Sequence, residues 1–341
     1  MSSTLFNVVF ISRCRSTHHK LAMDSLRQLR GLDAEHWRNL FLKYHESYLE
    51  GAKAPDDTFK DFKNHVLHVG EGEWGGAIKA VQTWFDRFVH ALRQQDWEEA
   101  VYSAGVLSHY YMDPIQPFHT GQSEAEGKVH RAAEWSICRA YHELQNILEL
   151  DQGGYPAVEL PSGPDWLADH VRAGARLSHV DYELCIDHYD LHRGVKDPPA
   201  GLDQLMKDRL AMLIGYAASG FARILERGFD ESLVTCPDVE LSLVTVLATL
   251  KMPVNWVARQ LVDLNDRMTV LAIYREVQQT GKAVSSLPED ERQVRRLHAQ
   301  EVLQVSVRDL DSEQAAPTGT AYGTGAPKRM RRNDPITTKV R

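Results

Sequence analysis

HYYMDPIQPFH, residues 109–119, ends one helical pattern and carries metal-ligand chemistry into the turn that follows. Upstream, DWEEAVYSAGVLSHYYMD places apolar residues at helical spacing, and Pro114 and Pro117 then stop the hydrogen-bond ladder. His109 and Asp113 stand four apart, so their side chains project from one face with Cβ atoms roughly 5–6 Å apart. Bonds of about 2.0–2.2 Å to zinc let both reach a single ion. His119 follows a PIQP turn whose two prolines fix the direction of its imidazole. On the next long helix, read from EGKVHRAAEWSICRAYHELQNIL, His130 and Glu134 repeat the same spacing. One such pair alone is commonly a surface ion pair. Two pairs on successive helices, with a histidine on the rigid turn between them, point to a metal site.

Outward from this stretch, helical periodicity dominates and predicts an all-α, multi-helix bundle. STHHKLAMDSLRQLR opens with the N-cap residues Ser16 and Thr17, and DAEHWRNLFLKYHESYLEG runs as one pattern to Gly51. GAIKAVQTWFDRFVHALRQQ and LDQLMKDRLAMLIGYAASGFARILERG read as further long helices. The apolar TLFNVVFI near the start reads as a first strand or an extended packing segment. No basic residue precedes it and Arg13 and Arg15 follow, which argues against a signal-peptide reading and makes the cytoplasm the expected compartment.

Residues 1–230 are expected to form the principal helical domain and 231–306 an additional, mostly helical region. In the latter, VELSLVTVLATL suits strand or buried helix, whereas VNWVARQLVDLNDRMTVLAIYREVQQ and PEDERQVRRLHAQEVLQV read as helices. Residues 307–341 read as a disordered basic tail. A formal charge of -8 on 341 residues argues against a surface built to coat nucleic acid or anionic lipid. No apolar run approaches the roughly 20 residues that a membrane span requires. Cys14, Cys138, Cys185 and Cys236 form no CxxC pair and read as reduced thiols.

With these residues in view, HYYMDPIQPFH followed by HRAAE resembles the zinc-dependent phospholipase C family, which is related to the single-strand-specific zinc nucleases. The likeness covers about residues 16–230 and lies in the spacing His-x3-Asp-x5-His, then His-x3-Glu. It implies an all-α fold, two or three zinc ions and hydrolysis of phosphate esters. His119, His130 and Glu134 would hold one ion, and His65, His109 and Asp113 a second. Asp56, in the step Pro55-Asp56, would be a ligand or the general base that orients the attacking water. Asp113 would bridge toward a third site at His18. His19 competes with His18 for that role, and His68 competes with His65. The chain departs from the family pattern at Met112 and Ile115, and HTGQSEAE lacks an expected asparagine. The third site is therefore expected to be incomplete or completed by another residue.

The chemistry fits the ligands. Zinc lowers the pKa of water from about 16 to about 7, and clustered cations neutralise the anionic oxygens of a phosphodiester. Imidazole and carboxylate without thiolate suit an open catalytic site. A phospholipid or other phosphodiester is the expected substrate, with single-stranded nucleic acid as the alternative on the same fold. Trp74, Tyr110, Tyr111 and Trp135 are the candidate aromatics for stacking a base, against a core role. A non-catalytic, metal-binding helical scaffold is the remaining reading.

Overall fold

A computed structural model describes residues 2–241, 252–306, 308 and 310. The fold is all-α, with fourteen α-helices among the described residues. The first is α1 (Ser2–Arg13), which corrects the expectation of a strand over TLFNVVFI. The β-branched pair Val8-Val9 favours extended chain, but Leu5, Phe6 and Val9 share one helical face and are buried. That tertiary packing overrides the local preference. A further departure is the single pattern expected to run to Gly51. It breaks at Tyr44 into α3 (Ala34–Lys43) and α4 (His45–Gly51), after α2 (Thr17–Arg27).

Two helices frame the centre. α5 (Ala77–Arg93) packs along α6 (Trp97–Met112), and α6 crosses α4 at close range. The crossing depends on two glycines: a Cβ on Gly51 would lie 2.2 Å from the Tyr102 carbonyl oxygen, and one on Gly105 2.3 Å from that of Tyr48. Two 3₁₀ turns, Asp113–Ile115 and Pro117–His119, follow α6, each opened by its proline as the sequence predicts. Next come the four-residue α7 (Glu124–Gly127) and α8 (His130–Asn146). The sequence pattern predicts one continuous helix here. A capping box between Ser123 and Glu126 starts a separate short turn, and α8 begins at His130 itself.

α9 (Trp166–His179), α10 (Tyr182–His188) and α11 (Leu191–Gly194) lead into the 29-residue α12 (Gln204–Ser232). α12 crosses the core on Ala217, Ala218, Phe221, Ala222 and Ile224, all buried. Burying a side chain such as Phe221 contributes about 1.5–3 kcal/mol. Beyond it, α13 (Met252–Thr280) lies against α1 and α8, and α14 (Glu289–Glu301) lies against the 3₁₀ turn Phe62–His65. A two-residue hairpin, β1 (Leu67–His68) with β2 (Trp74–Gly75), pairs Leu67 with Gly75 and His68 with Trp74. No described helix is long and apolar enough to cross a membrane. Most of VELSLVTVLATL and the expected tail, apart from Arg308 and Leu310, lie outside the described residues. No disulfide joins the four cysteines.

Candidate metal centre

α2, α6, α8 and the turns around them bring seven of the eight predicted residues to the lining of one cleft of about 570 Å³, and His109 lies buried behind them. At its floor, α6 delivers His109 and its helix-end Asp113 together. Asp113 Oδ2 lies 2.8 Å from His65 Nδ1 and 3.2 Å from His109 Nε2. His109 Nε2 is also 3.5 Å from Asp56 Oδ1 and 3.1 Å from His65 Nδ1. His18 stacks on the His109 ring at 3.7 Å and points Nε2 to Asp113 Oδ1, 3.4 Å away. Two overlapping ligand groups result, His65–His109–Asp113 and His18–Asp56–His109, whose donor atoms fall within 4.8 Å of one another. His109 itself is wholly buried beneath Asp113 and His18, and the cleft reaches it through them.

A second group, His119–His130–Glu134, converges at the other side of the cleft. Glu134 Oε1 lies 3.2 Å from His119 Nε2 and 3.3 Å from His130 Nε2. The sequence pairing of His130 and Glu134 on one helix face thus meets the histidine on the proline turn.

Hydrogen bonds outside these groups determine which ring nitrogen is free. A carbonyl oxygen only accepts, so the nitrogen facing it carries the hydrogen. His109 Nδ1–H donates to the Ala52 carbonyl at 2.9 Å, and His119 Nδ1–H to the His65 carbonyl at 3.2 Å. His130 Nδ1 is held by the Glu126 carboxylate. In all three, Nε2 is left facing a carboxylate oxygen inside the cluster. This is the arrangement by which metal-binding histidines are oriented. It also decides between His18 and His19. His19 accepts from the Arg15 backbone N–H at Nδ1 (3.2 Å) and meets the Leu49 carbonyl at Nε2 (3.0 Å), so both its nitrogens are used locally. His65 belongs to the cleft, whereas His68 turns away to Glu71 and His298.

Electrostatics describe a site that holds charge in a dry place. Burial disfavours protonation of His109, but Asp113 and Asp56 outweigh it and raise its pKa to about 10. Burial also works against the Asp113 carboxylate, yet His109 and His119 keep it well below the usual range. Glu134 behaves likewise beside His130 and His119. His18 is pushed down to about 3, first by burial and then by His109. Two carboxylates and their imidazoles are therefore compensating one another where a divalent ion would do the same. Asp113 Oδ2, though close to two ring nitrogens, has no aligned hydrogen-bond donor. An orphaned buried carboxylate oxygen with ring nitrogens crowding it fits zinc, as does a donor set of imidazole and carboxylate.

Several residues at the cleft escaped the sequence reading. Glu126 was legible in principle, standing four before His130 as Glu134 stands four after. Lys53 pairs with Asp56, and Arg131 reaches Glu134 at 3.3 Å, Asp266 at 3.3 Å and Asp290 at 4.0 Å. Those last two acids come from α13 and α14, which roof the cleft. Glu291 of α14 also lies there; both its carboxyl oxygens are buried without a partner, and burial raises its pKa to about 8. No local pattern marks these roof residues. Of the four candidate aromatics, Trp135 alone lines the cleft. Tyr110 and Tyr111 are core residues bonded to Asp61 and His170, and Trp74 lies beside His68 and His298. Compared with known proteins, the chain matches no family model and no curated protein.

Proposed function

We propose that this protein is a zinc-dependent phosphodiester hydrolase of the phospholipase C type. Two or three ions would be held by His18, Asp56, His65, His109, Asp113, His119, His130 and Glu134. One observation carries the reading: His109, His119 and His130 each have Nδ1 tied outside the cluster and Nε2 turned onto a carboxylate oxygen within it. When bound, zinc supplies concentrated positive charge at the ester and acidifies water to near neutral pH. The chain does the positioning. Asp113 stands between the His18 and His65–His109 groups and bridges them. Lys53, together with His109, keeps Asp56 ionised against the effect of burial. Asp56 can therefore serve as ligand or take the proton of an attacking water. Lys53 and Arg131, both lining the cleft, add fixed positive charge for an anionic ester.

The walls favour lipid over nucleic acid. Leu213 and Ile214 from α12 and Leu261 and Val262 from α13 give the cleft an aliphatic side. Leu261 is 61% exposed and Val262 44%, so apolar surface continues to the rim. Acyl chains suit such a wall; a base needs open stacking platforms, and the rings that line the cleft, Phe62, Phe118 and Trp135, are all buried at 7% exposure or less. Elemental analysis of protein purified without chelator or a metal-affinity tag should find two or more zinc ions per chain. Phosphatidylcholine, an aryl phosphodiester and single-stranded DNA should then be assayed side by side with zinc. Phosphocholine release supports the proposal, whereas nucleotides ending in a 5′-phosphate transfer it to the nuclease reading. Fully zinc-loaded protein that cleaves none of them leaves the scaffold reading instead.

A further inference from the structure

A third cluster of metal-binding side chains lies outside the cleft, at the hairpin. β1 contributes His68, the turn contributes Glu71, and β2 sets Trp74 directly across from His68. From 227 residues further along the chain, α14 brings His298 to the same carboxylate. His68 Nδ1 lies 2.8 Å and His298 Nε2 2.7 Å from a single oxygen, Glu71 Oε2. Both imidazoles are buried, at 0% and 4% exposure, and the Trp74 ring packs on each at 4.7 and 5.4 Å. Glu71 is the partly open member of the set, with 29% of its side chain exposed. His68 Nε2 is buried and has no partner of its own.

Two buried imidazoles converge on one carboxylate oxygen, with an aromatic wall behind and solvent in front. The two rings gain little from each other, since their charged forms repel. A divalent ion at the point of convergence satisfies all three groups. We propose that His68, Glu71 and His298 form a further metal site, separate from the cleft, for a borderline divalent ion such as zinc. Two nitrogens and one carboxylate oxygen select that class over magnesium or calcium, which take oxygen ligands. Bonds of about 2.0–2.1 Å at tetrahedral angles place ligand atoms about 3.3 Å apart. The two nitrogen–oxygen distances, 2.8 and 2.7 Å, reach this when Glu71, on its solvent side, backs off by about half an ångström. Water from the open side completes the coordination.

The site's consequence is mechanical. Glu291, Val294 and His298 stand at i, i+3 and i+7 on α14, which is one face of the helix. Glu291 and Val294 line the cleft, and the ion would grip the same face two turns away. Glu301, which accepts from Lys63 and from Trp74 Nε1, ties the next turn of that helix. The metal thereby fastens the C-terminal roof helix to the hairpin and fixes the height of the roof over the active cleft.

The full-length chain tests this directly, with zinc as the probe. Three proteins are compared: wild type, His298→Ala, and a cleft variant carrying both His119→Ala and Glu134→Ala. After equilibration with zinc and removal of the excess, His298→Ala should hold one equivalent fewer than wild type. Amide exchange across residues 289–301 should be at least tenfold slower in zinc than in chelator for wild type and for the cleft variant. In His298→Ala that zinc dependence should vanish. Should His298→Ala fail to fold, Glu71→Gln keeps the acceptor oxygen, loses the ligand charge and should show the same losses. Equal zinc content in wild type and the hairpin variants overturns the proposal. So does exchange at 289–301 that ignores zinc in the cleft variant. Loss of phosphodiester hydrolysis in the cleft variant tests the proposed function and leaves this result untouched.

Discussion

Gly105→Ala sets two physical effects of opposite sign against each other. In an open helix, alanine is favoured over glycine by about 1 kcal/mol. Gly105, however, faces α4. A Cβ there would stand 2.3 Å from the Tyr48 carbonyl oxygen, 2.9 Å from the Ala52 nitrogen and 3.1 Å from the Gly51 carbonyl carbon. All three neighbours are backbone, so no flexible side chain can swing aside. Relief requires α4 and α6 to part by about 1 Å, and overpacking of this kind costs about 1–3 kcal/mol, sometimes more. With backbone on every side the clash wins, and the variant should be less stable by up to about 2 kcal/mol after the propensity gain. The same displacement reaches the cleft. His109 lies one helical turn beyond Gly105, and its Nδ1–H donates at 2.9 Å to Ala52, on the far side of the crossing. Stretching that bond frees the ring, and loss of such an orienting partner weakens metal affinity by about 10–100-fold. Urea unfolding of metal-free protein and zinc titration against a competing chelator measure the two effects separately. A Gly105→Ala protein as stable as wild type, with unchanged zinc affinity, would refute the link between crossing and site.

Other outcomes follow from the same geometry. His119→Ala and Glu134→Ala should each lower phosphodiester hydrolysis by about 10²–10³ with far-ultraviolet circular dichroism unchanged, because they remove charge-setting ligands and not core; activity within threefold of wild type would exclude them from the site. Asp24 is buried, and burial lifts its carboxyl to about 6 although Tyr141 and Gln145 donate to it. A raised carboxyl stabilises the fold while protonated, so this contribution is full below its ordinary value of 3.8 and disappears as pH rises through about 6. Asp24→Asn, which keeps the acceptor, should therefore gain up to roughly 3 kcal/mol on wild type between pH 4 and pH 8 in paired denaturation curves; a constant difference would deny the raised pKa. Arg131→Met leaves Asp266, Asp290 and Glu134 facing one another, and should loosen α13 and α14 by about 1–3 kcal/mol for a partly buried network. Limited proteolysis should then cut within 252–301 well before the remaining helices.

Much of the candidate site was legible because its proposed ligands obey local rules. His109 with Asp113, and His130 with Glu134, are helix-face pairs, and the prolines announce the turn that carries His119. The choice between His18 and His19 needed tertiary contacts, since it turns on the Leu49 carbonyl thirty residues away. His65 and His68 are separated by a change from 3₁₀ turn to strand that the string FKNHVLHV does not reveal. The first helix was misread for a related reason: Val8 and Val9 have extended preferences that yield to packing. Asp266 and Asp290, which meet Arg131, and His298, which meets Glu71, lie more than a hundred residues from what they touch, and no periodicity encodes such meetings.

Chain order gives the cleft a timetable. Every ligand proposed for the cleft has been synthesised by Glu134, whereas the roof begins at Leu261. At about 5–20 residues per second, the intervening stretch of about 130 residues takes on the order of ten seconds to synthesise. During that interval the ligand helices exist without their cover. Ion capture by the nascent chain and ion loss from the finished protein then follow different routes. The first depends on free zinc beside the ribosome, the second on passage beneath α13 and α14.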